Sequence, residues 1–250
     1  MIGLLIVSCD KYSDLWEPFF YTLFKYWPDC PYKIYLASNY KLFEDERVTN
    51  ISFGEDQDYS TNLINIVNQI EEDRIFYWFD DVFLLKKVNT EYVQNIINQA
   101  IEADLDHLKL SVDSPLYYGS NKEIFGPISK GVKYRAAIGM AVYKKEKLLQ
   151  LLVPGQSAWE LDKSTRADSL DINFNSLNSN LRFFRRPFFV VNSVIKGKWM
   201  LGMKIILKRE GLSKYYGNRK RQKLSEFLYI VAYLIYMECF YSLKKHPKVN

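Results

Sequence analysis

"RIFYWFDDVFLL", residues 74–85, sets two adjacent aspartates inside a run of aromatic and aliphatic side chains. The run reads as a buried strand, and a carboxylate pair at its end is costly there. Like charges that close repel, and burying either without a partner carries a large desolvation penalty. A strand end that opens onto a divalent cation resolves both problems, because the metal supplies the missing positive charge. A simpler alternative stands beside it: Asp80 and Asp81 cap the turn that follows the strand.

The flanking sequence alternates between strand and helix patterns. "GLLIVS" (3–8) is a compact apolar run ending at "CDKY", and "DLWEPFFYTLFKYW" follows with helical spacing. "YKIYLAS" (32–38) and "RVTNISF" (47–53) read as strands, and "STNLINIVNQIEED" (60–73) places Leu63, Ile66, Val67 and Ile70 on one helical face. This order predicts an α/β domain with an open, mostly parallel, Rossmann-like sheet flanked by helices. Ligands of such sheets bind at the carboxyl ends of the strands, which puts Asp10, Asp80 and Asp81 on one edge. Farther on, "TEYVQNIINQAIEADL" reads as a helix and "HLKLSV" as a strand. Residues 113–134 have the composition of a long functional loop, and "AAIGMAVYKK" (136–145) reads as a strand. "KEKLLQLLV" and "SAWELDKST" (157–165) read as helical, and "RFFRRPFFVVNSV" as a last strand region.

Composition narrows the classes. The 250 residues are 48% hydrophobic and 25% charged, as in an ordinary folded protein, and 16% aromatic, which leaves rings for stacking as well as for core. Three cysteines, Cys9, Cys30 and Cys239, are far apart and form neither a disulfide framework nor a zinc motif, so a reducing compartment is expected. "MIGLLIVSCD" lacks the basic start and cleavage site of a signal peptide and reads as a first strand. No segment has the roughly 20 uninterrupted apolar residues of a spanning helix. GxGxxG, GxxxxGK[ST] and GxSxG are all absent, which argues against a dinucleotide fold, a P-loop NTPase and an acyl hydrolase. Carboxylate chemistry with a metal remains.

Charge is uneven. From Lys196 to Asn250 there are 13 Lys/Arg against three Glu, a net of +10 that leaves about −5 for the rest of the +5 chain. The expected organisation is a catalytic domain over 1–195, with a nucleotide-binding half about 1–110 and an acceptor half about 111–195, then a basic, aromatic-rich extension over 196–250. That extension reads either as a core helix with a solvated basic face or as an element for an anionic membrane surface. Nucleic acid is the less favoured anion, since no recognised module for it is present.

"YWFDDVFLL" after an amphipathic helix resembles the DxD-type element of bacterial GT-A-fold glycosyltransferases that build capsule and O-antigen chains, in a DDxF variant. "VSCDKYSDLWEPFF" resembles their opening strand and nucleotide-binding turn, "SAWELD" a W-E-x-E/D element, and "NSVIKGKW" a segment ending in GKW. Together these span residues 3–199. The family usually has Trp-Ser and then Arg where this chain has Tyr59, Ser60 and Asn62. The resemblance implies a transferase using a nucleotide-diphosphate sugar, UDP-sugar favoured, with Mn2+ or Mg2+ as cofactor. It implies a saccharide acceptor on a lipid diphosphate carrier and a cytoplasmic enzyme peripheral at the inner face of the membrane. Asp81 would hold metal and phosphate, with Asp80 toward metal, ribose or sugar. Ser8, Asp10, Lys11, Ser60 and Asn62 would join Asp80 around the donor nucleotide, although Asp10 also suits a turn and Lys11 a solvated surface.

An inverting transfer needs a carboxylate to take the acceptor hydroxyl's proton. Asp162 and Glu160 are the candidates. Ser157-x-x-Glu160 also matches a capping box, which would leave Asp162 freer to face the acceptor. Trp159, Tyr117 and Tyr118 are candidate acceptor platforms, with a core position the commoner fate of such a Trp. Two rivals remain: a sugar-nucleotide nucleotidyltransferase, disfavoured by the glycine-free "SCDKYSD", and a non-catalytic membrane-surface scaffold.

Overall fold

The computed structural model describes residues 1–243 except Ala137, Ser164 and Thr165; the side chains of Asp162, Lys163, Phe184, Glu238 and Phe240, and of residues 241–243, also lie outside the described set. β1 (Ile2–Val7) leads through a 3-10 turn (Asp10–Leu15) into α1 (Trp16–Tyr26), then β2 (Lys33–Ser38) and β3 (Val48–Ser52). α2 (Tyr59–Asn68) is capped by Asp58, which accepts from the Thr61 N–H at 2.9 Å, and Leu63, Ile66 and Val67 are its buried stripe. β4 (Arg74–Phe79) follows. It is apolar on both faces because helices cover both sides of a parallel sheet.

The Asp80–Asp81 turn breaks the run into two elements. β4 stays in the central sheet, and β5 (Val82–Leu84) leaves it. Trp78 fastens the turn: its indole N–H donates to the Val82 carbonyl at 2.9 Å beneath a ring that is fully buried. After α3 (Thr90–Glu102) come β6 (His107–Lys109), β7 (Phe125–Pro127), β8 (Ala141–Lys144), α4 (Lys145–Leu151), α5 (Ala158–Lys163), α6 (Arg166–Ser169) and β9 (Phe174–Leu177). The chain closes with α7 (Leu181–Phe184), β10 (Val190–Asn192), the β11 (Val194–Ile195) and β12 (Lys198–Trp199) hairpin, α8 (Met203–Arg209), a second 3-10 turn and α9 (Leu224–Leu243).

The central sheet has eight strands in the order β3-β2-β1-β4-β8-β6-β9-β7, with β8 and β7 running against the rest. This is the mostly parallel, helix-flanked sheet expected. One core layer gathers α1, α3 and the aromatic cluster of Trp27, Phe76, Trp78 and Phe188. The other gathers α2 and α4 with Tyr77 and Tyr143.

Three local expectations need correction. The strand read over 136–145 covers only its second half, because Met140 sits in the left-handed region at φ 53° and ends regular pairing. "RFFRRPFFVVNSV" forms α7 and then β10, which pairs antiparallel with β5 outside the central sheet. β9 was not anticipated: Asn175 and Ser176 hide it from a hydrophobicity pattern although both are buried. Asp106 and Asn173 hold its start by exchanging hydrogen bonds, Asp106 N–H to Asn173 Oδ1 at 2.6 Å and Asn173 N–H to Asp106 Oδ2 at 3.0 Å.

The basic segment after residue 195 is stitched to the body. Glu210, at the end of α8, is 5% exposed and accepts from Lys25 at 2.6 Å and from the Tyr26 hydroxyl at 2.9 Å on α1. Burial works to raise its pKa, but Lys25, Arg209 and Tyr26 more than offset it and hold the carboxyl below its ordinary range. Trp78→Phe removes the indole donor that fastens the aspartate turn; denaturant unfolding should show a loss of about 1–2 kcal/mol.

Candidate functional site

The strand order reverses at β1: β2 and β3 lie on one side and β4 on the other. Such a switch point leaves a crevice at the carboxyl ends of the two central strands. A cavity of about 700 Å³ opens there. Its floor is Val7 and Ser8 at the end of β1 with Phe79, Asp80 and Asp81 at the end of β4. Its walls include Tyr12, Phe53, the start of α2 and the Gly155–Glu160 region.

The Ser8 hydroxyl joins the two central strands. It accepts from the Trp16 indole N–H at 2.7 Å and donates to Asp80 Oδ2. Burial pushes the Asp80 carboxyl up to about 8; the Ser8 donor acts against this and the neighbouring Asp81 reinforces it. Burial likewise pushes Asp81 up to about 6, against the pull of its own backbone N–H and of Arg219. Neither carboxylate has an ion-pair partner among the described residues.

Asp56, Asp58 and Glu160 also line the cavity, and no Lys, Arg or His does so among the described residues. Asp56 is held by the Asn62 amide at 2.6 Å. The surroundings are thus strongly acidic, and a phosphate-bearing ligand would need a counter-charge brought with it. Two hard carboxylates without an ion-pair partner, Asp80 buried and Asp81 half-buried, suit Mg2+ or Mn2+, which are held by one or two carboxylates plus substrate phosphates. Among the described residues no group of three or more His, Cys, Asp or Glu converges as a complete ligand cage.

The remaining candidate residues are more dispersed than the sequence implied. Asn62 lines the cavity, while Ser60 is fully buried and its N–H donates to the Gln156 carbonyl at 3.1 Å. Asp10 braces a turn, accepting from the Tyr40 and Lys41 N–H groups at 3.1 Å each, and with Lys11 it lines a separate surface cleft. Glu160 forms the capping box: it accepts from the Ser157 N–H at 2.8 Å and hydroxyl at 2.7 Å, which hold its carboxyl below the ordinary range. The side chain of Asp162 lies outside the described residues. Trp159 is 65% exposed and is not a wall of the cavity. Tyr117 and Tyr118 are not walls either; the Tyr117 hydroxyl donates to Glu123 at 3.0 Å.

Two groups escaped sequence reasoning. Tyr12 lines the cavity, and Arg219 from the basic segment lies over its ring at 4.2 Å while donating to Asp14 Oδ2 at 2.8 Å. Nothing in the sequence links positions 205 residues apart. A smaller cavity of about 190 Å³ lies behind Tyr59 and Phe79, lined by the buried Lys109 and by Asp113, which pair at 3.0 Å. The Tyr59 hydroxyl meets that of Tyr77 at 2.7 Å. Phe79 packs edge-on to Tyr77, and a Cβ at Gly139 would come within 2.8 Å of its ring.

Because both aspartate carboxyls are raised, the folded metal-free protein keeps protons that the unfolded chain releases above about pH 4. Its stability should therefore fall as pH rises toward about 8, by at most about 1.4 kcal/mol per pH unit for each group. Asp80→Asn should flatten that slope in thermal unfolding measured across pH with chelator present.

No family model matches the sequence, and no curated protein matches it. Among solved structures the chain is similar to a cytidylyltransferase from Leptospira borgpetersenii serovar Hardjo-bovis, at 8% identity and TM-score 0.51 over 94% of this chain and 95% of that one. It also matches S. aureus TarS 1-349, at 12% identity and TM-score 0.45 over 100% and 75% of the two chains. HddC from Yersinia pseudotuberculosis follows at 14% identity and TM-score 0.47 over 77% and 93%. At such identities the likeness is one of fold: a helix-flanked, mostly parallel sheet shared with the Leptospira cytidylyltransferase.

Proposed function

We propose that the chain is a glycosyltransferase of bacterial surface-polysaccharide synthesis. It would move a sugar from a nucleotide-diphosphate sugar, UDP-sugar favoured, to a saccharide acceptor on a lipid diphosphate carrier. The observation that supports this best is the pair of carboxylates at the sheet's switch point, Asp80 buried and Asp81 half-buried, with no ion-pair partner among the described residues. Asp81 and Asp80 would hold a divalent cation, which when bound neutralises the diphosphate leaving group. Ser8 would orient Asp80, and Tyr12, Phe53 and Asn62, which line the cavity, would contact the nucleotide.

Of the two candidate bases, Glu160 lines the cavity, while the side chain of Asp162 lies outside the described residues. Its Ser157 hydrogen bonds keep it ionised, as a base must be, while lowering its basicity. A carboxylate base on the face opposite the leaving group corresponds to inversion. The 196–250 segment would belong to the same working unit, since Arg219 reaches the cavity wall through Tyr12.

Nucleotidyl transfer has one observation in its favour, the fold shared with a cytidylyltransferase. Against it stand the glycine-free turn 8–14 and the lack of any Lys or Arg on the cavity wall among the described residues. A nucleoside triphosphate with an incoming sugar phosphate carries more negative charge than a sugar diphosphate, and so needs such cations more.

Thermal shift against UDP, GDP, CDP and dTDP, and against the matching triphosphates, each with and without Mn2+, tests the proposal. A metal-dependent rise with one diphosphate that Asp81→Ala abolishes is expected; a response to triphosphates alone would favour nucleotidyl transfer. In a transfer assay, Glu160→Gln should lower kcat about 10²–10⁴-fold with little change in nucleotide affinity. Full activity in that variant would move the base role to Asp162, testable by Asp162→Asn.

A further inference from the structure

α9 is apolar on nearly every side, yet the body covers only one stripe of it. Glu226, Ile230 and Met237 recur at helical spacing and make the stripe, with Tyr233, still 38% exposed, at its edge. Glu226 pairs with Lys198, and Ile230 closes a cavity of about 300 Å³ with Ile195 and Gln222. The Tyr233 hydroxyl meets that of Tyr134 at 3.0 Å, and Met237 is 7% exposed. Around the rest of the helix Leu224, Leu228, Tyr229, Leu234 and Ile235 are each 56–71% exposed. A 20-residue helix with this surface belongs in a core or against lipid.

We infer that α9 and the basic segment before it form a docking surface for an anionic membrane, with the helix lying in the interface. Charge complementarity selects this occupant. Lys196 to Lys223 carries ten Lys/Arg against Glu210 alone. Lys198, Arg209 and Arg219 have carboxylate partners, whereas the exposed Lys196, Lys204, Lys208, Lys220 and Lys223 have none among the described residues. On α8, Ile205 is 75% exposed beside Lys204, and Leu201 just before the helix is 41% exposed, so cations and apolar groups are mixed there as well. A cationic surface with inserted Leu, Ile and Tyr is what anionic head groups over an acyl boundary attract. A second copy of the chain would instead bring two segments of like charge together. Among the described residues no helix is long and apolar enough to cross a membrane, which leaves α9 on the surface.

Sedimentation of the full chain with phosphatidylcholine vesicles, with and without phosphatidylglycerol, tests the inference and needs no donor or acceptor. Binding to the anionic vesicles should be at least about tenfold tighter than to neutral ones and should weaken with salt. Leu234→Glu/Ile235→Glu should reduce it about tenfold or more while the melting temperature stays unchanged. Lys204→Glu/Lys208→Glu, on α8, should lower the preference for anionic lipid whatever the α9 variant does to folding. Three results would overturn the inference: no sedimentation of the wild type, equal binding by both variants, or a lipid-free dimer that the α9 substitutions convert to monomer. None of these bears on nucleotide binding at Asp80 and Asp81, so the two proposals fail separately.

Discussion

The structure turns on holding two carboxylates where an apolar strand ends. Asp80 and Asp81 follow six residues that belong in a core, and everything next to them limits the cost of that position. Trp78 closes the turn from below, and Ser8, itself held by Trp16, binds Asp80 from the adjacent strand. The pull of Arg219 does not offset burial at either carboxyl, so an electrostatic cost is left standing. A site that is uncomfortable when empty gains most from a bound cation, as expected of binding positions drawn from strained rather than relaxed structure.

Much of the first half of the fold was legible because its physics is local. β1, β2, β3 and β4 are short apolar runs, and α2 shows its buried face as a periodic stripe beginning at an Asp cap. Their order fixes a switch point, and the switch point places the cavity. The second half was less legible, since its strands are three or four residues long and rest on non-local pairings. β9 buries Asn175 and Ser176 and depends on an Asp106–Asn173 exchange across 67 residues, which no periodicity signals. β10 leaves the central sheet because β5 does, a consequence of the turn at Asp80 rather than of its own composition.

The candidate site divides the same way. The aspartate pair and the Ser157–Glu160 box were readable, being carried by neighbours in sequence. Tyr12 and Arg219 were not, since their contact depends on a basic segment folding back onto the turn after β1. That fold-back also changes what the charge count means. An excess of cations concentrated in one segment suggests an appendage, but its anchors, Glu210 to α1 and Arg219 to Asp14, tie it to the body, and Arg219 backs Tyr12 of the cavity wall.

Tyr59 and Phe79 line both the large cavity and the small one. Phe79 is held by a Tyr77 contact on one side and by the missing side chain of Gly139 on the other. The Phe79 ring can stand where it does only because residue 139 has no side chain. A side chain at Gly139 would displace that ring without touching a charged residue. The shape of the cavity and its charge are therefore set by different side chains, Phe79 and Gly139 for the one and Asp80 and Asp81 for the other.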